Sequence, residues 1–425
     1  MIPKVLVLSE YFIAGDAITS LNLFSKWDKN ALFIASRETD YYFKNFKSGY
    51  RIGGSEVRFR YPLNLFNSVP ESKIIDCNVE NIAKPVHAGH FVSKLYLGFV
   101  VPMMKWLGLF PYRTTYSVSE RFLSWIDEIQ PNYFYTSVGS LNMAKFVGEL
   151  IEARPQIKAI IHCYDDWIKP NYFTISRSYT KKSSVILRSI ISSAAITLTS
   201  SEKMAKDYEE RYRRPFLAFP NPVKQLSQDI CINPESKSIV FVGKILNHNI
   251  KSITSFANAL AKADLGLVFD IYSDVREDVQ QKVLSKYGNT VFHGWVKHDD
   301  ILGIINKSRI VFLPISIDRQ TAKFTKYSMS TKMSEYLSSG VPILYQGPDG
   351  IAMTEMLEKY QCAFVIKNNS IDQMVSLLRH ILEDVADCKR VASAAMTLYS
   401  QRFEMEKVVG DLHHIITSDF ATKKW

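Results

Sequence analysis

Short runs of branched aliphatic residues recur along this chain, each followed after a turn by an amphipathic stretch of helix length. KVLVL at 4–8 opens the series, then a helix near Ser20 to Trp27, then ALFIAS at 31–36. A continuous apolar run of this length reads as a strand buried on both faces, and such strands belong to parallel sheets covered by helices. Parallel neighbours need a crossover connection, so the alternation points to a doubly wound α/β sheet. Between 40 and 80 the pattern breaks: YYFKNFKSGYRIGG and FRYPLNLFNSVP are aromatic and irregular and place no element. Alternation returns with a helix from Ser119 to Ile129, NYFYTSV, a helix from Leu141 to Ala153, KAIIHCYDDW, a helix from Val185 to Ser193, AITLTS, SEKMAKDYEERY and the closing FLAFPNPV.

A second series begins at KSIVFVGKI and runs through six or so strand–helix units. Its strands are LGLVFDIYS, NTVFHGWV, RIVFLPIS, VPILYQG and CAFVIK. The stretch after RIVFLPIS to Tyr327 reads as polar connection, and Val385 to Phe420 as helix throughout. At 425 residues the chain suits two cores better than one. The expected division is 1–225, an N-terminal Rossmann-like domain, and 226–400, a C-terminal one. A linker falls near 221–237, and 401–425 forms a C-terminal helix returning to the first domain.

Composition narrows the class. With 47% hydrophobic and 22% charged residues the chain can bury a core and is not of disordered type. The start, MIPKVLVLSEYF, has no basic n-region or cleavage site, which argues against a secretory signal and for a cytoplasmic protein. Five scattered cysteines without a CxxC pair argue against a disulfide framework or a zinc site. The net charge is +10, and residues 1–225 hold 29 Lys and Arg against 20 Asp and Glu, so nearly all the excess lies there. A basic half meets nucleic acid, an anionic membrane or an anionic substrate, or serves solubility alone. Phe91 to Tyr112 (FVSKLYLGFVVPMMKWLGLFPY) is strongly apolar but interrupted by Lys94, Pro102 and Lys105, so it suits a spanning helix poorly. It reads either as a packed helix pair or as an interfacial segment on a membrane. The basic residues form no stripe on a recognised nucleic-acid module.

The chemistry gathers at strand ends. Ser328 to Leu344 (SMSTKMSEYLSSGVPIL) offers N-cap candidates, a short helix ending at Gly340 and a buried strand. Met333, Tyr336 and Leu337 make its buried face, while Lys332 and Glu335 share the other. A capped helix start with Lys332 beside it suits a phosphate, and Glu335 suits ribose hydroxyls. A surface helix with a Lys/Glu pair is the plain alternative. Gly243-Lys244, Gly294-Trp295-Val296 and Gly347-Pro348-Asp349-Gly350 also follow strands. Trp295 is either a packing residue or a base-stacking one. In the first half Gly15 and Asp16 occupy the first strand-to-helix turn, where a simple turn explains them equally well. Asp165 and Asp166 either cap a turn or serve as a general base, and His162 is either a core histidine or part of a site. Asp318 and Arg319 lie in a loop where they could meet a sugar.

FVGKI, NTVFHGWVKHDDILGIINKSRIVFLP and TKMSEYLSSGVPIL, in this order and spacing, resemble the donor domain of a retaining family 4 glycosyltransferase of the two-domain GT-B fold. The likeness covers about 240–385; in the first half it rests on layout, HCYDDW and PNPV. The resemblance implies two Rossmann-like domains facing a central cleft. It places Gly243, Lys244, Ser330, Thr331 and Lys332 at the donor diphosphate, Glu335 at the ribose and Gly294 to Val296 at the nucleobase. It implies transfer from a nucleotide sugar to a glycan or lipid-linked acceptor of bacterial surface polysaccharide, with retention. No further cofactor and no metal are expected, since the lysines can neutralise the leaving group. Contact with an anionic inner membrane would explain the basic, aromatic first half. The chain departs from the family in three places. Tyr327 stands where a second glutamate is common, Asn249 or Lys251 where a second lysine is usual, and Tyr164-Asp165 where His-Asp would be. These keep two other readings open: a non-catalytic subunit of the same fold, and a sugar-nucleotide epimerase.

Overall fold

The computed structural model describes residues 2–10, 16–37, 41–61, 63–65, 68–77, 96–168, 177–274, 287–297 and 300–418. The chain forms two compact units, Met1–Phe219 with Val409–Trp425, and Pro220–Val408.

The first unit is built on an eight-stranded sheet. Its strands are β1 (Val5–Ser9), β2 (Leu32–Ser36), β3 (Ser48–Arg51), β5 (Lys73–Asp76), β7 (Tyr133–Ser137), β8 (Lys158–Cys163), β9 (Ile196–Thr199) and β10 (Leu217–Ala218). They lie in the order β10-β9-β8-β7-β1-β2-β3-β5, with only β5 antiparallel to its neighbour. β1 is central: Val5 is level with Leu32 on one side and Tyr133 on the other, and four of its five residues are buried. The helix Glu120–Ile129 shows how the covering layer is specified. Ser119 accepts from the Phe122 N–H at its start, Gln130 adopts the left-handed region at its end (φ 48°), and Pro131 follows. Phe122, Leu123, Trp125, Ile126 and Ile129 make one buried face, each contributing about 1.5–3 kcal/mol of transfer free energy.

The irregular 40–80 region holds structure after all. β3 and β5 extend the main sheet, and a separate antiparallel pair joins β4 (Val57–Phe59) to β6 (Thr114–Tyr116). These strands are three or four residues long, too short for alternation to be read. One carboxylate organises them. Glu56 is 1% exposed and accepts hydrogen bonds from the hydroxyls of Tyr50, Ser72 and Ser119 and from the Gly53 N–H. A buried carboxylate needs such donors, because desolvation without them is costly.

In the second unit the strands β11 (Ser238–Val242), β12 (Val268–Tyr272), β13 (Thr290–Phe292), β14 (Ile310–Pro314), β15 (Ile343–Gln346) and β16 (Phe364–Ile366) form an all-parallel sheet. Its order is β13-β12-β11-β14-β15-β16. Alternate residues of β11 feed two cores: Val240 and Val242 pack with Met333, Tyr336 and Leu337, and Ile239 and Phe241 with Phe256, Phe269 and Phe312. The helix of the 331–337 stretch ends at Leu337, three residues before Gly340. Gly340 is required for another reason. Its φ is 76°, and a Cβ there would stand 2.1 Å from the Asp229 carbonyl oxygen, in a segment whose Cys231 N–H bonds the Gly340 carbonyl.

Two expectations are corrected here. The polar connection before Tyr327 contains a helix, Arg319–Phe324, capped by Asp318. It was hidden because it is short and carries little apolar periodicity. The helical tail is two helices, Val385–Arg402 and Met405–Thr417. Between them Glu404 makes an isolated bridge with Val223, whose N–H and carbonyl bond Phe403 and Met405, so the backbone leaves the helical path there. Residues from Val409 on belong to the first unit, where Trp27 packs on His413 at 4.9 Å between ring centroids.

Candidate functional site

In the second unit β11 is the first strand, and its neighbours β12 and β14 lead the chain in opposite directions across the sheet. Such a reversal opens a crevice outside the carboxyl ends of the strands, where open α/β sheets take ligands. The sequence-predicted donor residues gather there. Gly243 follows β11 with φ 154°, its N–H bonded to the Tyr272 carbonyl. The Lys332 stem runs past it, with Cε 3.6 Å from where a Cβ would sit, so the lysine lies in contact distance of this turn. Lys332 Nζ pairs with Glu335 at 2.8 Å, the two side chains 29% and 14% exposed. One of three ammonium hydrogens is thus engaged. Ser330 caps the helix Thr331–Leu337 by accepting from the Lys332 N–H, and Thr331 is exposed. The Tyr336 hydroxyl accepts from the Val242 N–H at 2.9 Å and ties this helix to the end of β11. At seven residues the helix has a small dipole, so the Lys332 side chain is the stronger positive element.

Lys244 is exposed beyond Gly243, on a turn held by Asn249. The buried Asn249 side chain donates to the Lys244 carbonyl and accepts from the Leu246 N–H, which makes it a structural staple. Lys251 instead faces Asp318 at 3.4 Å. Partial burial pushes the Asp318 carboxyl up, but the Thr321 N–H and hydroxyl and Lys251 outweigh it and hold it below the usual range. Tyr327 is buried, with Lys326 Nζ bonded to its hydroxyl, so no carboxylate stands at that position.

Near the carboxyl ends of β12 and β13 lies a group that sequence reasoning did not find. The His293 ring stacks on Tyr272 with centroids 4.4 Å apart and planes at 11°, and its Nε2 bonds Asp270 at 2.7 Å. Asp270 also accepts from Ser238. Gly294 follows with φ 78°, Trp295 is 68% exposed, and Val296 packs on the core. With that exposure Trp295 lies outside the core of the unit.

The first-unit candidates separate. His162 is fully buried in β8; its Nδ1 bonds the Tyr135 hydroxyl at 2.8 Å, which also meets the Tyr164 hydroxyl at 2.6 Å. Burial pushes the imidazole down to about 3, so it is neutral and packed as a core residue. Asp166 is held by both terminal nitrogens of Arg211, at 3.1 and 2.9 Å. Asp165 is exposed. Gly15 lies outside the described residues, and Asp16 opens the helix Asp16–Leu23. Sequence reasoning also missed Glu10. It follows β1 at the reversal between β1 and β7, and accepts from the Tyr116 hydroxyl at 2.9 Å and from Ser140 at 2.6 Å. Its only sequence signal was a carboxylate just past the first buried strand.

Fold and site together define a class: the chain has the GT-B fold of two Rossmann-like units. Residues 236–384, which lie within the second unit, match the family described as Glycosyl transferases group 1. None of the curated proteins matches the chain. Among solved structures, HepE of Anabaena in complex with UDP aligns at 13% identity and TM-score 0.58, over 97% of this chain and 99% of its own. The lipopolysaccharide outer core galactosyltransferase WaaB aligns at 12% and 0.58, over 99% and 100%. A glycosyltransferase from Rickettsia africae aligns at 10% and 0.59, over the whole of both chains.

Proposed function

We propose that this protein is a nucleotide-sugar-dependent glycosyltransferase of the hexosyltransferase kind. It moves a sugar, with retention, to a glycan or lipid-linked acceptor in the biosynthesis of bacterial O-antigen, capsule or exopolysaccharide. The carrying observation is the Lys332–Glu335 pair lying past Gly243 at the sheet reversal of a group 1 domain. Lys332 and Lys244 neutralise the departing diphosphate, which is where such a reaction needs stabilisation most. Glu335 accepts from the ribose hydroxyls. Trp295 and the Tyr272–His293 stack flank the base. The lysines supply the positive charge, so the reading calls for no metal. Asp165 and Glu10 are the first-unit carboxylates offered to the acceptor hydroxyls. HepE with bound UDP-glucose supports a uridine donor, and the likeness to WaaB, a lipopolysaccharide outer core galactosyltransferase, supports a surface glycan as product. The excess of basic residues before 225 supports work at the anionic cytoplasmic face of the inner membrane.

A thermal-shift screen of UDP-, GDP-, CMP- and ADP-sugars tests the donor, since stabilisation grows with concentration over Kd. A UDP-sugar should raise Tm, and Glu335→Ala and Lys244→Ala should each lower transfer about 10- to 100-fold. No shift with any nucleotide sugar would sink the reading. Buried Tyr327, standing where the family often has a glutamate, favours one rival, a non-catalytic subunit. Nucleotide binding without transfer or donor hydrolysis would select it.

A further inference from the structure

One stretch of the first unit turns its apolar side chains outward. The helix Val101–Trp106 buries none of its residues. It leads through the turn Phe110–Tyr112 into β6, which pairs with β4. Trp106 is 75% exposed, Phe99 66%, Leu109 49%, Leu107 48% and Met103 42%; Tyr61, just past β4, is 79% exposed. Single exposed apolar residues are ordinary on a protein surface, but a cluster this dense marks a contact. At six residues the helix is far too short to cross a bilayer, and no helix among the described residues is long and apolar enough to do so.

The charges around this cluster are of one sign. The Lys105 ammonium lies 5.3 Å and the Arg113 guanidinium 3.9 Å from the centroid of the Phe110 ring. Arg58 on β4 and Arg60 just after it are exposed. No Asp or Glu occurs at 57–70 or at 81–119. Exposed aromatic and aliphatic side chains beside exposed basic ones, in segments that hold no carboxylate of their own, match the boundary between acyl chains and anionic headgroups. There rings and apolar side chains sink, while long cationic side chains reach back to phosphate. We infer that the β4–β6 ribbon and the helix Val101–Trp106 form a docking foot that seats the first unit on an anionic lipid bilayer. The foot deepens the membrane contact proposed above and rests on that reading.

Flotation of the full chain with phosphatidylcholine vesicles, with and without phosphatidylglycerol, tests it. The wild type should float with phosphatidylglycerol at low salt and much less at high salt or with phosphatidylcholine alone. Trp106→Ser with Leu109→Ser, and separately Arg58→Gln with Arg60→Gln, should each weaken binding at least about tenfold. Thermal unfolding and the Tm rise with UDP should stay at wild-type values, showing that the fold and the second unit are intact. If the wild type floats and both double variants float equally well, the foot is wrong while the membrane contact stands. If the wild type does not float at low salt, both fail. If the chain instead forms a dimer that Trp106→Ser dissolves, without flotation, the face belongs to a second copy and the foot is overturned.

Discussion

The two units use the same kind of sheet in different ways. In the second, six parallel strands follow a regular doubly wound order, and the candidate donor groups stand at their carboxyl ends. In the first, a comparable parallel core is extended by β3 and the antiparallel β5 and carries the β4–β6 ribbon, and most of the excess positive charge lies in its sequence. The second unit sets its candidate donor groups with a regular sheet alone, whereas the first adds chain outside its parallel core. Those additions are short elements with little core of their own, so polar contacts have to hold them.

That contrast can be broken at Glu56. Glu56→Ala would leave three buried or half-buried hydroxyls without their acceptor and the Gly53 N–H with Ser72 alone. The expected loss is about 3–5 kcal/mol, read as an earlier denaturant midpoint for the first unit. An unchanged midpoint would mean that the added elements are held by apolar packing alone. In the second unit the matching test is Gly340→Ala. The left-handed φ and the Asp229 carbonyl 2.1 Å from the new Cβ predict a loss of about 2–3 kcal/mol. The Tm rise given by a nucleotide sugar should survive once the lower baseline is allowed for.

The smallest expected effect, about 2 kcal/mol over the window from pH 6.5 to 5, concerns acid. His162 is buried neutral with its pKa pushed down to about 3, against about 6.5 when unfolded. The unfolded chain therefore binds the extra proton. Stability is full above pH 6.5 and falls by about 1.4 kcal/mol per unit below it, until about pH 3. His162→Gln should flatten that slope between pH 6.5 and 5 in urea titrations; an unchanged slope would place the acid sensitivity elsewhere.

What the sequence made legible follows from range. Strands such as KVLVL and SIVFV announce themselves because burial on both faces needs only consecutive residues. Lys332 and Glu335 were legible because a helix brings i and i+3 together. Tyr272 and His293 are 21 positions apart and meet only because β12 and β13 are neighbours, an order that no local pattern encodes. Glu10 meets Ser140 for the same reason, across β1 and β7. The helix Arg319–Phe324 escaped because its one clear signal, the Asp318 cap, also reads as a loop residue.

The chain crosses between its units twice, at 219/220 and at 408/409. Synthesis runs from the N-terminus, so the first unit begins to form early yet lacks its last helix until the whole second unit has left the ribosome. Trp27, which packs on His413 in the finished protein, lacks that partner through that interval. Domains that fold as units in order of emergence cannot do so fully here. The second unit can close before the first.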